Sequence, residues 1–170
     1  MRTYTCLTAL MVGLLILSTA PCLGQEAADG AWSADRIAVI KGFSVPESVR
    51  PDPENGIAYV TSIESQAGEY WADDGEGFIS RISVSGDVEN LRWLDSTAQH
   101  TINAPKGASL LGGYLYFTDN TRLFRVPVSG GPIEKVPLPQ AAQLNDTASG
   151  GGHVYISDMG LGKVYKVDLQ

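Results

Sequence analysis

One strand-turn-strand unit recurs along this chain and constrains its fold more than any other feature. The clearest copy is Tyr114 to Gly131, YLYFTDNTRLFRVPVSGG. An aromatic-rich run, Tyr114 to Thr118, meets turn chemistry at Asp119-Asn120-Thr121. A second apolar run, Leu123 to Val128, closes on Ser129-Gly130-Gly131. The unit returns at His153 to Asp168 (HVYISDMGLGKVYKVD), and more loosely at Ile57 to Ser62 with Gly77 to Val84. Tyr59, Tyr116 and Tyr155 stand at the same place in the three copies. Repeats of this kind are supersecondary units that bury their apolar faces by stacking on one another.

Shorter runs extend each copy into a sheet. The first takes in Glu47 to Pro51, Ile57 to Ile63, Phe78 to Val84 and Glu89 to Leu94, with Asp52 to Gly56 (DPENG) as its first turn. The second takes in Gly107 to Leu111, Tyr114 to Thr118, Leu123 to Val128 and Ile133 to Leu138. The third has Asp146 to Ser149, His153 to Ser157 and Lys163 to Leu169. No window carries a 3.6-residue apolar period, so the expected class is all-β with almost no helix. Four-stranded units at a spacing of about 40 residues point to a β-propeller. A sandwich also gives short, evenly spaced strands, but not in-phase inner strands, turns and tyrosines. The expectation is a partial propeller of the six-bladed type, its blades at about 43–95, 104–139 and 143–170. Closed propellers carry roughly four to eight blades. The chain then reads either as a truncated product or as one part of a ring completed by a second copy, a homodimer. Arg36 to Gly42 reads as a spare strand ahead of the first blade.

The N-terminal stretch reads as a leader. Arg2 is a short positive region, Ala9 to Leu17 is apolar, and Ser18 to Gly24 is mostly small, ahead of a cut at Gln25. Residues 1–24 are thus expected to be a signal peptide and 25–35 a flexible start. The apolar run is shorter than the roughly 20 residues a membrane span needs. Thr19 and Pro21 around Cys22 favour plain cleavage over lipid attachment. Both cysteines, Cys6 and Cys22, fall in this leader. An exported, disulfide-free protein, periplasmic or secreted, is the expectation. Formal charge is −7 over the whole chain, and −8 without the leader, which holds one arginine and no acid. With no Lys/Arg cluster, nucleic acid and anionic membrane surfaces are poor partners.

In a propeller the first strand of each blade lines a central channel, where a small-molecule ligand binds. The residues opening those strands are Glu47, Lys106 with Gly107, and Asn145 with Asp146. Two acids and an amide form an oxygen-rich set that suits a hard divalent cation such as calcium or magnesium. Asn and Asp are also common at strand starts because they bond nearby backbone. Glu64 to Gly77 (ESQAGEYWADDGEG) is a long acidic insertion without EF-hand spacing. It reads as a solvated loop near a channel mouth, with Tyr70 and Trp71 packing over it. The Asn145-Asp146-Thr147 sequon falls on an inner strand and is discounted. His100 and His153 stand alone and read as structural or exposed.

Four pieces of sequence carry a resemblance. They are Pro46-Glu47-Ser48-Val49, Phe78-Ile79-Ser80-Arg81-Ile82, Ala104-Pro105-Lys106-Gly107, and Leu144-Asn145-Asp146 followed by Val154-Tyr155-Ile156-Ser157-Asp158. Together they resemble the SMP-30/gluconolactonase/LRE-like family, over about Phe43 to Leu169 and only the first half of a family member. The resemblance implies a six-bladed propeller and metal-dependent hydrolysis of a lactone. It implies Glu47 and Asn145 as ligands of a divalent cation, calcium foremost. Asn145 and Lys106 become substrate-binding residues, and Asp146 a catalytic acid/base aid. This chain has Ser48-Val49 where the family often has Gly-Pro, and Gln143 where an arginine is common. The family's later-blade ligands have no counterpart here. A non-catalytic propeller that binds a ligand or a protein is the other class, since a fold alone does not fix a function.

Overall fold

The computed structural model describes residues 33–65 and 68–168, so the leader and most of the expected flexible start lie outside the described residues. The described chain holds eleven strands and no helix. Blade 1 is β1 (Pro46–Asp52), β2 (Ile57–Ser62), β3 (Phe78–Ser83) and β4 (Val88–Leu94). Blade 2 is β5 (Pro105–Leu111), β6 (Tyr114–Asp119), β7 (Arg122–Pro127) and β8 (Glu134–Val136). Blade 3 is β9 (Leu144–Gly150), β10 (His153–Asp158) and β11 (Lys163–Asp168). Every pairing is antiparallel between sequence neighbours. β1 lies against β5, and β5 against β9, so the first strands stand side by side as the inner strands.

Turn chemistry sets the registers. Gly112 and Gly113 join β5 to β6 with φ of 60° and 78°, and Gly151 and Gly152 join β9 to β10 with φ of 57° and 80°. Two successive residues at positive φ give a hairpin turn whose twist matches the strands, and glycine adopts it without strain. Between β1 and β2, the Asp52 carboxylate accepts the Asn55 backbone N–H and side-chain amide at 3.3 and 2.8 Å.

Side chains alternate between the two faces of each sheet. The face carrying Tyr59, Tyr116 or Tyr155 is termed forward, and the other rear. Forward residues Ile57, Tyr59 and Ile79 of blade 1 pack on rear residues Leu115, Phe117 and Val126 of blade 2. Forward residues Tyr116 and Leu123 of blade 2 pack on rear residues Val154 and Ile156 of blade 3. The tyrosines are in phase, as their spacing in sequence indicates. Each stands opposite a basic residue on the next strand: Arg81, Arg125 and Lys166. On the rear of blade 1, Ala58, Val60 and Ile82 are covered by Ile40 and Phe43.

Two expected strands differ from what is observed. Arg36 to Gly42 forms no strand. Its Ile37 and Val39 are 97% and 63% exposed, and the segment pairs with none of the described strands. The outer strand expected over Ile133 to Leu138 is confined to Glu134–Val136, between Pro132 and Pro137, which lack the N–H a ladder needs.

A buried aspartate fastens the entry to blades 2 and 3. Asp119, at the end of β6, accepts the Asn103 and Ala104 backbone N–H groups, the latter at 2.7 Å, and an Arg122 guanidinium N–H at 2.8 Å. Asp158, at the same place on β10, accepts backbone N–H groups from Ala142, Gln143 and Leu161 at 3.0 to 3.1 Å. Burial raises the Asp158 carboxyl, but those donors and the Tyr165 hydroxyl outweigh it and hold the group below its usual value. Its stabilisation is therefore present above about pH 4 and lost as pH falls through the lowered folded value. Asp158→Ala should cost about 3 kcal/mol at neutral pH, because it removes a buried charged acceptor from three backbone donors. Urea unfolding at pH 7 and pH 3 should show that the variant has less stability to lose on acidification; equal losses would refute this role.

Candidate functional site

The residues expected to line the channel do open the inner strands. Glu47 stands at the start of β1, Lys106 and Gly107 at the start of β5, and Asn145 and Asp146 at the start of β9. Three of them sense one another. The Glu47 carboxyl is raised by partial burial first, then by Asp146, while Lys106 pulls the other way. Gly107 brings β5 and β9 together: a Cβ there would collide with the Asp146 Cα and Oδ1 and the Thr147 amide nitrogen.

Lys106 is 3% exposed and its ammonium is engaged internally. It donates to the Ala104 carbonyl at 2.9 Å and to Asn120 Oδ1 at 3.2 Å, and it lies 3.8 Å from the centroid of the Trp71 ring. Desolvation lowers its pKa to about 8, against the pull of Asp119 and Glu47. The contact with Trp71 also favours the charged form.

Asn120 ties the acidic insertion to this mouth. Its amide donates to the Trp71 and Ala72 carbonyls and to Asp73 Oδ1, at 2.9 to 3.2 Å. Asn103 donates to the same Asp73 oxygen at 2.7 Å and accepts the Gly75 N–H at 2.9 Å. These two amides hold the Asp73 carboxyl below its usual value. Asn120 sits at φ 54°, a left-handed conformation that asparagine tolerates. The loop expected near a mouth is thus latched there: Trp71 packs on Lys106, while Tyr70 stays 41% exposed. Sequence reading did not single out Asn103, Asn120 or Asp73, although Asn120 lay in plain view as a turn residue.

Side-chain engagement divides the candidates. Among the described residues, the Glu47 carboxylate and the Asn145 amide have no internal hydrogen-bond partner. The Asn145 carbonyl accepts the Thr118 hydroxyl at 2.6 Å, which fixes the backbone and leaves the side chain free. Asp146 is exposed, and one of its oxygens accepts the Thr147 N–H at 2.7 Å. Acids outnumber bases around this mouth, so an anionic ligand is disfavoured. Among the described residues no group of three His, Cys, Asp or Glu side chains is placed to hold a metal ion. Two carboxylates with a buried ammonium beside them make an incomplete set for the expected calcium ion. The expected structural histidines are placed as follows: His153 lies 3.6 Å from Asp168, and His100 beside Thr97 in the loop before blade 2.

A cavity of about 400 Å³ lies at the opposite end of the inner strands, among Arg50, Asp52, Leu110, Gly112 and Ser149. Its polar groups serve the fold: Arg50 Nε donates to the Ala108 carbonyl at 2.7 Å, and Asp52 holds its turn.

No family model matches the chain, and no curated protein matches it. Among solved structures it is similar to a chain of the nidogen/laminin complex, at 19% identity and a TM-score of 0.59, over 75% of this chain and 44% of that one. It is also similar to a streptogramin B lyase, at 20% identity and a TM-score of 0.47, over 75% of this chain and 41% of that one. A virginiamycin B lyase from Staphylococcus aureus gives 19% identity and a TM-score of 0.44, over 74% of this chain and 42% of that one. The chain therefore spans less than half the length of these neighbours. The nidogen likeness speaks to fold alone and agrees with the stacked antiparallel sheets: this is part of a β-propeller.

The lowered Lys106 gives a testable pH dependence. Unfolded, a lysine titrates near 10.4. Between about pH 8 and that value the unfolded chain binds more protons, so this group's contribution to stability rises with pH. The stability difference between the parent and Lys106→Met, from urea unfolding, should shift toward the parent between pH 7 and pH 10. A constant difference would show that the ammonium is not desolvated.

Proposed function

We propose that this chain is part of an exported propeller of the SMP-30/gluconolactonase type, which binds a small, neutral, hydroxyl-rich ligand of the lactone class at the channel mouth. The observation that carries the reading is the pair of side chains left free there, the Glu47 carboxylate and the Asn145 amide, with Asp146 beside them. Carboxylates accept hydrogen bonds from ligand hydroxyls, and an amide can donate to a ring carbonyl. The excess of acids fits a neutral ligand and disfavours phosphates and sugar acids.

Lys106 is a positioning residue in this reading. Its donors face Ala104 and Asn120, so it acts by holding Trp71 and by its field on Glu47. Hydrolysis of a bound lactone needs an activated water and a stabilised oxyanion. Glu47, with its raised carboxyl, suits the first task as a base, and Asp146 suits proton transfer to the opening ring. A divalent cation would supply the polarising charge in the resembling family. The described residues form an incomplete set for one, so lactone hydrolysis is assigned to a closed ring.

A sugar lactam keeps the ring and carbonyl of the lactone without opening, and so separates binding from turnover. Calorimetric titration of the protein with a gluconolactam should give saturable heat. Glu47→Gln and Asn145→Ala should each weaken binding by about tenfold, near 1.4 kcal/mol. Absence of binding, or unchanged affinity in both variants, overturns the reading. Heat with calcium chloride alone that Glu47→Gln abolishes would instead assign these oxygens to a metal.

A further inference from the structure

One strand arginine lacks what the others have. Arg81 pairs with Glu89, Arg92 with Glu64 and Asp95, Arg122 with Asp119, and Arg125 with Glu134. Arg50, on β1, has no carboxylate paired with it among the described residues. It lines the cavity of about 400 Å³ at the far end of the inner strands. Sites for small ligands run from about 300 to 1,000 Å³. The Ala108 carbonyl takes the Arg50 Nε at 2.7 Å and so fixes the guanidinium. That bond uses one donor of the fork, and the two terminal amino groups have no internal partner among the described residues. Blades 1 and 2 supply nearly the whole wall, through Arg50 to Asn55 on one side and Leu110 to Gly113 with Val128 on the other. Two acids share that wall with Arg50. Glu54 is exposed on the turn. Asp52 is buried, and its bonds to Asn55 fix it without cancelling its charge. That charge is felt across the junction: burial first, then Asp52, pushes the Tyr59 hydroxyl up to about 12. Half-buried Leu110, Leu111 and Val128 give the cavity its apolar side.

We propose that this cavity is a second binding site, and that its ligand is a free α-amino acid with an aliphatic side chain. The charges on its wall select the class. An anion alone would meet two carboxylates there, and a cation alone would meet the guanidinium. A neutral ligand would desolvate the guanidinium and leave it unpaired, which is costly. A ligand with one charge of each sign answers both. Its α-carboxylate accepts from the terminal amino groups of Arg50, whose planar fork matches a carboxylate with two parallel bonds. Its α-ammonium, with three donors, faces Glu54 and Asp52. Its side chain covers Leu110, Leu111 and Val128 and removes their apolar surface from water. The site lies at the opposite end of the inner strands from Glu47 and Asn145 and does not rest on the function proposed for that mouth.

Calorimetric titration of the full chain with three probes tests this. L-leucine should give saturable heat. 4-Methylpentanoate, which lacks the ammonium, and 3-methylbutylamine, which lacks the carboxylate, should each bind at least about tenfold more weakly. Arg50→Lys keeps the charge but loses the fork, and should weaken leucine by at least about tenfold. Glu54→Gln alters an exposed turn residue without disturbing the fold, and should weaken leucine about threefold while thermal unfolding stays unchanged. Glu47→Gln, at the other end, should leave leucine binding as it is. No heat with about 10 mM leucine overturns the proposal. So does a probe lacking one charge that binds as tightly as leucine, or full affinity in Arg50→Lys. Loss of leucine binding in Glu47→Gln overturns it too, and moves the amino acid to the channel mouth.

Discussion

Everything in this molecule depends on sheets that are apolar on both faces. A strand with one wet face would alternate apolar and polar residues; here β2, β3 and β6 are almost wholly buried. Such a sheet cannot stand alone in water, and its only economical cover is another sheet of the same kind. Burial of a large aliphatic or aromatic side chain contributes about 1.5 to 3 kcal/mol. The Tyr59 and Tyr116 layers therefore stabilise each junction well beyond what any surface ion pair could add. The inner strands, and with them the channel mouth, are placed as a by-product of that stacking.

The buried carboxylates finish what the apolar faces begin. Stacking sets the spacing between sheets, but the chain must still cross from the outer edge of one blade to the inner strand of the next. Asp119 and Asp158 hold those crossings by accepting backbone donors that would otherwise be orphaned. Blade 1 has Ser62 at that place, with its hydroxyl buried and without a partner among the described residues. Its entry is held by backbone bonds instead, from Ile63 to Val45 and from Glu64 to Ser44.

Much of this was legible in the sequence. The tyrosine phase located every inner and second strand within a residue or two, because short apolar, aromatic-rich runs and glycine turns are local signals. Arg36 to Gly42 was misread, since an alternating apolar run looks like a strand whether or not an edge exists for it to pair with. The site was legible in position and not in role. Glu47, Lys106, Asn145 and Asp146 were placed at one mouth by counting back from the tyrosines. That Lys106 is consumed internally, and that Asn103 and Asn120 latch the acidic loop, depends on contacts between residues far apart in sequence, which no local pattern encodes.

Gly107 has a consequence for the width of the pore. Where β5 meets β9 there is no room for even one methyl group against the Asp146 backbone. That glycine works as a gauge: it sets how sharply the wall of inner strands curves from blade 2 to blade 3. Alanine in its place would wedge the strands apart and flatten the arc. The oxygens at the mouth would then spread over a wider circle, and a ligand sized to the present opening would lose contact with one side of it. The calibre of the channel is thus written in the one residue that has no side chain to line it.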